Sequence, residues 1–277
     1  DRGDAYVTKV FDLSDDLDGM YATLMDFKPQ GGGDGPESVN QALHDAVSKI
    51  SWSDNRSSYK AIFLVGDAPP HMDYQNDVKF PQSIASATRK GIVVNTIQAG
   101  QDVQTTRAWR KIASLSQGRY FNVDDEGAHV AIATPFDGEI AALSKELDET
   151  RFFYGAAEER AMSELKTAAS EKLHAIASAA SRAKRALFNA SESGVNNFRG
   201  NKELVEDIRS GAVALDELAD AELPESIRAL PAPERQREID RQAKKREDLS
   251  ARIAVLAKQR QAHVEKELAD DKDLADS

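Results

Sequence analysis

The chain contains no cysteine. That excludes a disulfide framework, a thiolate nucleophile and a zinc site built on sulfur, and it leaves the compartment open. No apolar run approaches the roughly 20 residues that span a bilayer, and no basic stretch followed by an apolar one opens the chain as a signal peptide would. Basic charge is scarce as well: 36 Lys and Arg against 47 Asp and Glu give a net charge of −11 and a pI near 5.0. A broad nucleic-acid surface needs clustered cations to neutralise phosphates, so nucleic acid is not an expected partner. Enzyme signatures are missing too. The glycines at 31–33 lack the Gly-Lys-Ser/Thr that completes a Walker loop, and neither HExxH nor Gly-x-Ser-x-Gly occurs. An initiator Met is absent and the opening "DRGDAY" is turn-like, which leads us to expect a missing upstream part.

With 277 residues and 40% hydrophobic content, the chain can build one core with an appendage, or two small domains. Residues 5–13, "AYVTKVFDL", alternate as a strand does, and Ser14 followed by acids opens a helix to about Phe27. Val39, Leu43, Ala46, Val47 and Ile50 recur at helical spacing, predicting a helix over 36–50 with Pro36 in its first turn. Ile62 to Val65 is a continuous apolar run, as in a strand buried on both faces of a parallel sheet. A helix over 80–90, a buried strand over 91–99, a helix over 105–116, the short strand "GRYFNV" and a helix over 127–147 follow. Strands alternating with helices predict an α/β sheet with crossover helices.

From about Arg151 the strand-like runs vanish. Helical segments are expected near 156–188, 201–209 and 234–268, with breaks at "SGVNNFRG" and "LPESIRALPAPE". Leu249, Ile253 and Leu256 form an apolar seam, which predicts an antiparallel helical hairpin or short coiled coil and self-association through the tail. The expected organisation is therefore an α/β domain over 1–148 and a helical extension over 149–277.

Two loops carry the chemistry. In "GGGDGPE", residues 31–37, glycines permit unusual backbone angles, Pro36 fixes its own, and Glu37 falls in a first helical turn facing the dipole. Alone, this stretch reads first as a glycine linker with an acidic first turn. "GDAPPH", residues 66–71, places Asp67 at the carboxyl end of a buried strand, where open α/β sheets position ligand-binding groups. In a doubly wound sheet the two acids converge.

The run "GGGDGPESVNQALHDAV" followed by "AIFLVGDAPPH" resembles a von Willebrand factor A domain, of the branch that includes the I-like domain of integrin β subunits. The matching positions are Asp34, Pro36 and Glu37, then Asp67, Ala68 and His71, and the resemblance covers about residues 1–148. It implies a three-layer, doubly wound, mostly parallel sheet and a metal-ion-dependent adhesion site. Mg2+, or Mn2+ or Ca2+ in its place, would sit on the sheet with one position left for an Asp or Glu of a protein partner. Glu37 and Asp67 would reach the ion directly or through water, with Asp34 orienting the loop or holding an adjacent site. Hard cations favour such all-oxygen sets.

The sequence departs from that family at the first metal loop, Asp-x-Ser-x-Ser. "DLSDD", with Asp12, Ser14 and Asp16, lies only about 25 residues before Glu37 and reads as a helix cap. The sheet is thus expected to lack its first strand, and metal binding to be weak or absent. The implied function is a non-enzymatic adhesion or assembly module; the alternative is a metal-dependent hydrolase or an accessory subunit of one. His71 is expected to be structural, Trp109 core, Arg2-Gly3-Asp4 a chance turn, and Asp124 to Glu126 a helix cap. The sequons at Asn55 and Asn189 matter only in a glycosylating host, and an extracytoplasmic location is the expectation.

Overall fold

The computed structural model describes residues 5–28, 35–123 and 132–275. The chain divides into two compact units: Asp1–Leu13 with Lys28–Val130, and Ser14–Phe27 with Ala131–Ser277.

The first unit is mixed α/β. Its elements are α2 (Val39–Ser48), β1 (Lys60–Gly66), α3 (Phe80–Arg89), β2 (Ile92–Ala99), α4 (Val103–Leu115) and β3 (Tyr120–Val123), α1 belonging to the second unit. The three strands form a parallel sheet in the order β1-β2-β3, with Ile62 opposite Val94 and Thr96 opposite Tyr120. Side chains alternate between faces along a strand. One face, carrying Ile62, Leu64, Ile92 and Val94, packs on Val39, Leu43 and Val47 of α2, Phe80 and Ile84 of α3, and Trp109 and Ile112 of α4. Full burial of such side chains contributes about 1.5–3 kcal/mol each.

The opposite face is only partly covered among the described residues: Asn95 is buried and Val93 and Ile97 are half-buried. Phe63 is 61% exposed, Val65 63% and Phe121 46%. The row Val65, Ile97, Phe121 crosses all three strands in register. This corrects the expectation that β1 is buried on both sides: a continuous apolar run reads as doubly buried, yet α2, α3 and α4 all cover the same face. A second correction concerns residues 5–13, which alternate as predicted but join no strand ladder. Thr8 donates to Asp45 Oδ2 at 2.5 Å and Asp12 Oδ1 accepts from the Ser51 amide at 2.8 Å, so the segment is fastened along α2 by side chains.

The second unit is helical: α1 (Leu17–Met25), α5 (Asp137–Asp148), α6 (Ala157–Ile176), α7 (Ala179–Asn189), α8 (Val195–Arg199), α9 (Leu204–Ser210), α10 (Glu225–Arg228) and α11 (Ala232–Ala275). The helix expected over 127–147 begins only at Asp137; its first part falls outside the described residues. Composition places the division near 148, whereas α5 packs with α7 and α11. The seam Leu249 and Ile253 inserts between α5 and α7, beside Ile140, Leu143, Ala183 and Ala186, with Leu256 packed against it. The tail is therefore a small helical bundle rather than a hairpin or coiled coil, and its seam is filled from within the unit. A smaller cluster joins Leu204, Leu223, Ile227 and Ile239.

Ionic contacts run through this bundle. Arg185 holds Asp18 of α1 and lies 2.8 Å from Asp148 Oδ2, which also meets His174 Nε2 at 2.7 Å. Arg246 forks onto Glu203 at 2.8 and 3.0 Å. Among the described residues no helix is long and apolar enough to cross a membrane.

Candidate functional site

The site is built at the carboxyl end of β1. There the loop 67–71 meets the residues ahead of α2 in a short parallel bridge between Glu37 and Pro70. The Glu37 amide donates to the Pro69 carbonyl at 2.8 Å, and the His71 amide donates to the Glu37 carbonyl at 3.0 Å. This bridge is why α2 starts at Val39 and not at Pro36. Glu37 was expected in the first helical turn; its backbone is instead spent on the neighbouring loop.

Asn40 reinforces the join. It is fully buried; its Nδ2 donates to the His71 carbonyl at 2.5 Å and its Oδ1 accepts from the Phe80 amide at 2.8 Å. One side chain thus ties α2, the Asp67 loop and α3 together. Sequence reasoning passed over it, although a polar residue at a core-facing helical position was the available signal. His71 is structural as expected: buried, stacked on Tyr74 at 3.9 Å, and 2.8 Å from Asp73 Oδ1 through Nδ1. The hydrogen bond from His71 holds the Asp73 carboxyl below its ordinary range.

Asp67 is fixed from the other side. The Thr105 hydroxyl lies 3.1 Å from the Asp67 carbonyl and 2.7 Å from Asp102 Oδ2, while Asp102 caps α4 by accepting the Thr105 amide at 2.6 Å. Both residues were missed, since α4 was expected to start at Thr105 and not after an Asp102 cap. Beneath them, buried Gln98 accepts from Thr106 and Tyr120 at 2.9 and 2.8 Å. At Gly66 a Cβ would stand 3.2 Å from the ring of Trp109, which is buried as expected, so a larger residue there would crowd the ring.

Glu37 and Asp67 line one cavity of about 360 Å³, together with Val7, Ser38, Val39, Ala42, Leu64 to Gly66, Ala68 and Trp109. Both are exposed. Among the described residues neither carboxylate has a side-chain ion pair or hydrogen bond. Asp34, the third expected site residue, lies outside the described residues. So do Arg2-Gly3-Asp4 and the run Asp124, Asp125 and Glu126. Two carboxylates beside a hydroxyl suit a hard cation, whose remaining positions water would fill. No group of three or more His, Cys, Asp or Glu placed to hold a metal ion occurs among the described residues.

Of the two sequons, Asn189 is buried and accepts from Asn197 at 2.8 Å, so its amide is not presented for glycosylation in the folded unit. Comparisons with protein-family models, with curated proteins and with solved structures return no match to this chain.

Proposed function

We propose that the first unit is a doubly wound, von Willebrand factor A-like domain that works as a non-enzymatic protein-binding module. A divalent cation, Mg2+ first and Mn2+ or Ca2+ in its place, is held weakly between Glu37 and Asp67. The open side of that cation takes an Asp or Glu of a protein partner. The reading rests on one observation: two loops from separate elements are fastened to each other through Glu37, and their carboxylates face one open cavity. Side chains spent on structure would be paired; these two are not paired among the described residues. The helical unit supports assembly in this reading.

Paramagnetic broadening by Mn2+ in an amide NMR spectrum tests the site. Millimolar Mn2+ is expected to broaden amides around Glu37 and Asp67 first, and the Glu37→Gln/Asp67→Asn variant is expected to abolish it. Broadening centred on any other cluster, or unchanged in the variant, overturns the site. Capture of a partner that persists in chelator, or metal-dependent phosphatase or nuclease turnover, overturns the adhesion role.

A further inference from the structure

We propose that the outer face of α6 is a self-association surface, on which a second copy of this chain seats its own α6 in antiparallel orientation about Leu165. The pairing gives the assembly role of the helical unit a surface, and it does not depend on the cation between Glu37 and Asp67.

The inner face of α6 is committed to α1. Lys166 Nζ meets Asp16 Oδ1 at 2.7 Å, the Ser170 hydroxyl donates to Asp18 Oδ2 at 2.8 Å, and Leu173 is buried. A surface helix ordinarily turns charged and polar residues to the other side. Here Met162 is 70% exposed and Leu165 67%, the highest values among the large apolar side chains described in the helical unit. Exposed leucines scattered singly are ordinary, whereas a contiguous apolar patch marks an interaction site. Residues three and four apart are neighbours on a helix, so Leu165 is flanked by exposed Ala161 and Ala168 on one edge and by Met162 and half-buried Ala169 on the other. Glu158 and Lys172 close the two ends of the patch. The seam of Leu249 and Ile253, by contrast, is filled from within the unit.

The patch is complementary to itself turned end for end. A two-fold pair joins the same surface on both copies. Antiparallel helices crossing at Leu165 set each position on its amino side against one about equally far on its carboxyl side. Leu165 then meets Leu165, bulky Met162 meets small Ala169, Ala161 meets Ala168, and Glu158 meets Lys172 of the second copy. Lys172 Nζ already holds Asp26 Oδ2 at 2.5 Å with 36% of the Lys side chain exposed, and Glu158 joins that pair at each end of the contact. A parallel pair would set Glu158 against Glu158 and Lys172 against Lys172, so like charges select the antiparallel form. From Glu158 to Lys172 the contact is about 21 Å long and one helix, about 10 Å, wide. That falls well short of the about 800 Å² per partner of a stable interface, so the pair is weak and forms as concentration rises.

The test uses the whole chain in chelator. Sedimentation equilibrium from micromolar to millimolar protein should show the mass rising from monomer toward dimer. The Met162→Lys/Leu165→Lys variant, altered at two exposed positions, should stay monomeric with its circular dichroism unchanged. Because the chain has no cysteine, single introduced cysteines report the geometry under mild oxidation. Leu165→Cys, on the two-fold axis, should give at least ten-fold more disulfide-linked dimer than Glu158→Cys, which lies about 20 Å from its counterpart in the antiparallel pair. It should exceed Val255→Cys, exposed on α11, by the same factor. A mass that stays monomeric to millimolar protein, a Lys variant that still dimerises, or equal linking of the Glu158→Cys and Leu165→Cys variants overturns the surface. The cysteine arm keeps the patch otherwise intact, so misfolding of the Lys variant cannot decide the outcome. Because chelator is present throughout, a negative result leaves the Mn2+ experiment standing.

Discussion

Asp18 and Arg185, 167 positions apart in the sequence, close a two-bond fork: Nε donates to Oδ1 at 2.6 Å and an Nη donates to Oδ2 at 2.5 Å. Both side chains are buried. Burial by itself would raise the Asp18 pKa, but the Arg185 guanidinium, with Ser170 and Lys166, carries it down from 3.8 to about 2. A carboxyl harder to protonate when folded than when unfolded stabilises the fold above its unfolded pKa. The contribution is whole above pH 3.8 and is lost as pH falls through about 2. It amounts to about 2 kcal/mol. Urea midpoints followed by circular dichroism at pH 5, 3.5 and 2.5 should fall across this window, and the Asp18→Asn variant should flatten the fall.

Removing the acid outright has a different effect. Asp18→Ala leaves Arg185 buried with Asp148 as its remaining described carboxylate partner, which should destabilise the helical unit by about 3 kcal/mol in urea unfolding at pH 7. Arg185→Met in the same chain should recover part of that loss, because it removes the under-paired guanidinium while leaving Asp148 with His174 and Arg151. A double variant no more stable than Asp18→Ala would show that the fork is not the source.

Asn40→Ala takes one side chain from two buried backbone groups, the His71 carbonyl and the Phe80 amide. The expected cost is about 2 kcal/mol. Hydrogen exchange should quicken at the Phe80 amide before the strand amides respond. Unchanged exchange there would mean that Asn40 does not hold the loops.

Glycine substitutions should rank by what the new Cβ meets. At Gly118 it would lie 2.0 Å from the Val94 carbonyl oxygen, backbone against backbone; at Gly66 it would lie 3.2 Å from the Trp109 ring, which can shift. Gly66→Ala should cost about 1–2 kcal/mol and alter tryptophan emission. Gly118→Ala should cost more and abolish folding of the α/β unit at elevated temperature. Thermal denaturation by circular dichroism checks the order.

Elements whose signal is local were legible in the sequence. The periodicity of Val39, Leu43 and Val47, the apolar runs at 62–65 and 91–99, and the helical spacing around Trp109 each announced what they became. The site was legible in part: the Gly-Pro-Glu and Asp-Ala-Pro-Pro-His loops do meet, in the bridge between Glu37 and Pro70. What failed depended on distant partners. Residues 5–13 alternate correctly, but a strand exists only with an edge to pair with, and that edge is not encoded within the segment. The run Ile62 to Val65 tells that the strand is apolar, not that helices would gather on one face alone. The Asp18–Arg185 fork could not be read, since neither residue carries a local mark of burial.

The order in which the chain leaves the ribosome bears on α1. This helix is made between two stretches of the α/β unit, yet its partners Ser170 and Arg185 are made more than a hundred residues later. The helical unit therefore closes only when α1 is joined by segments that lie beyond the α/β unit in the sequence. A piece cut to residues 131–277 would carry Arg185 without Asp18, so neither unit corresponds to one uninterrupted length of sequence.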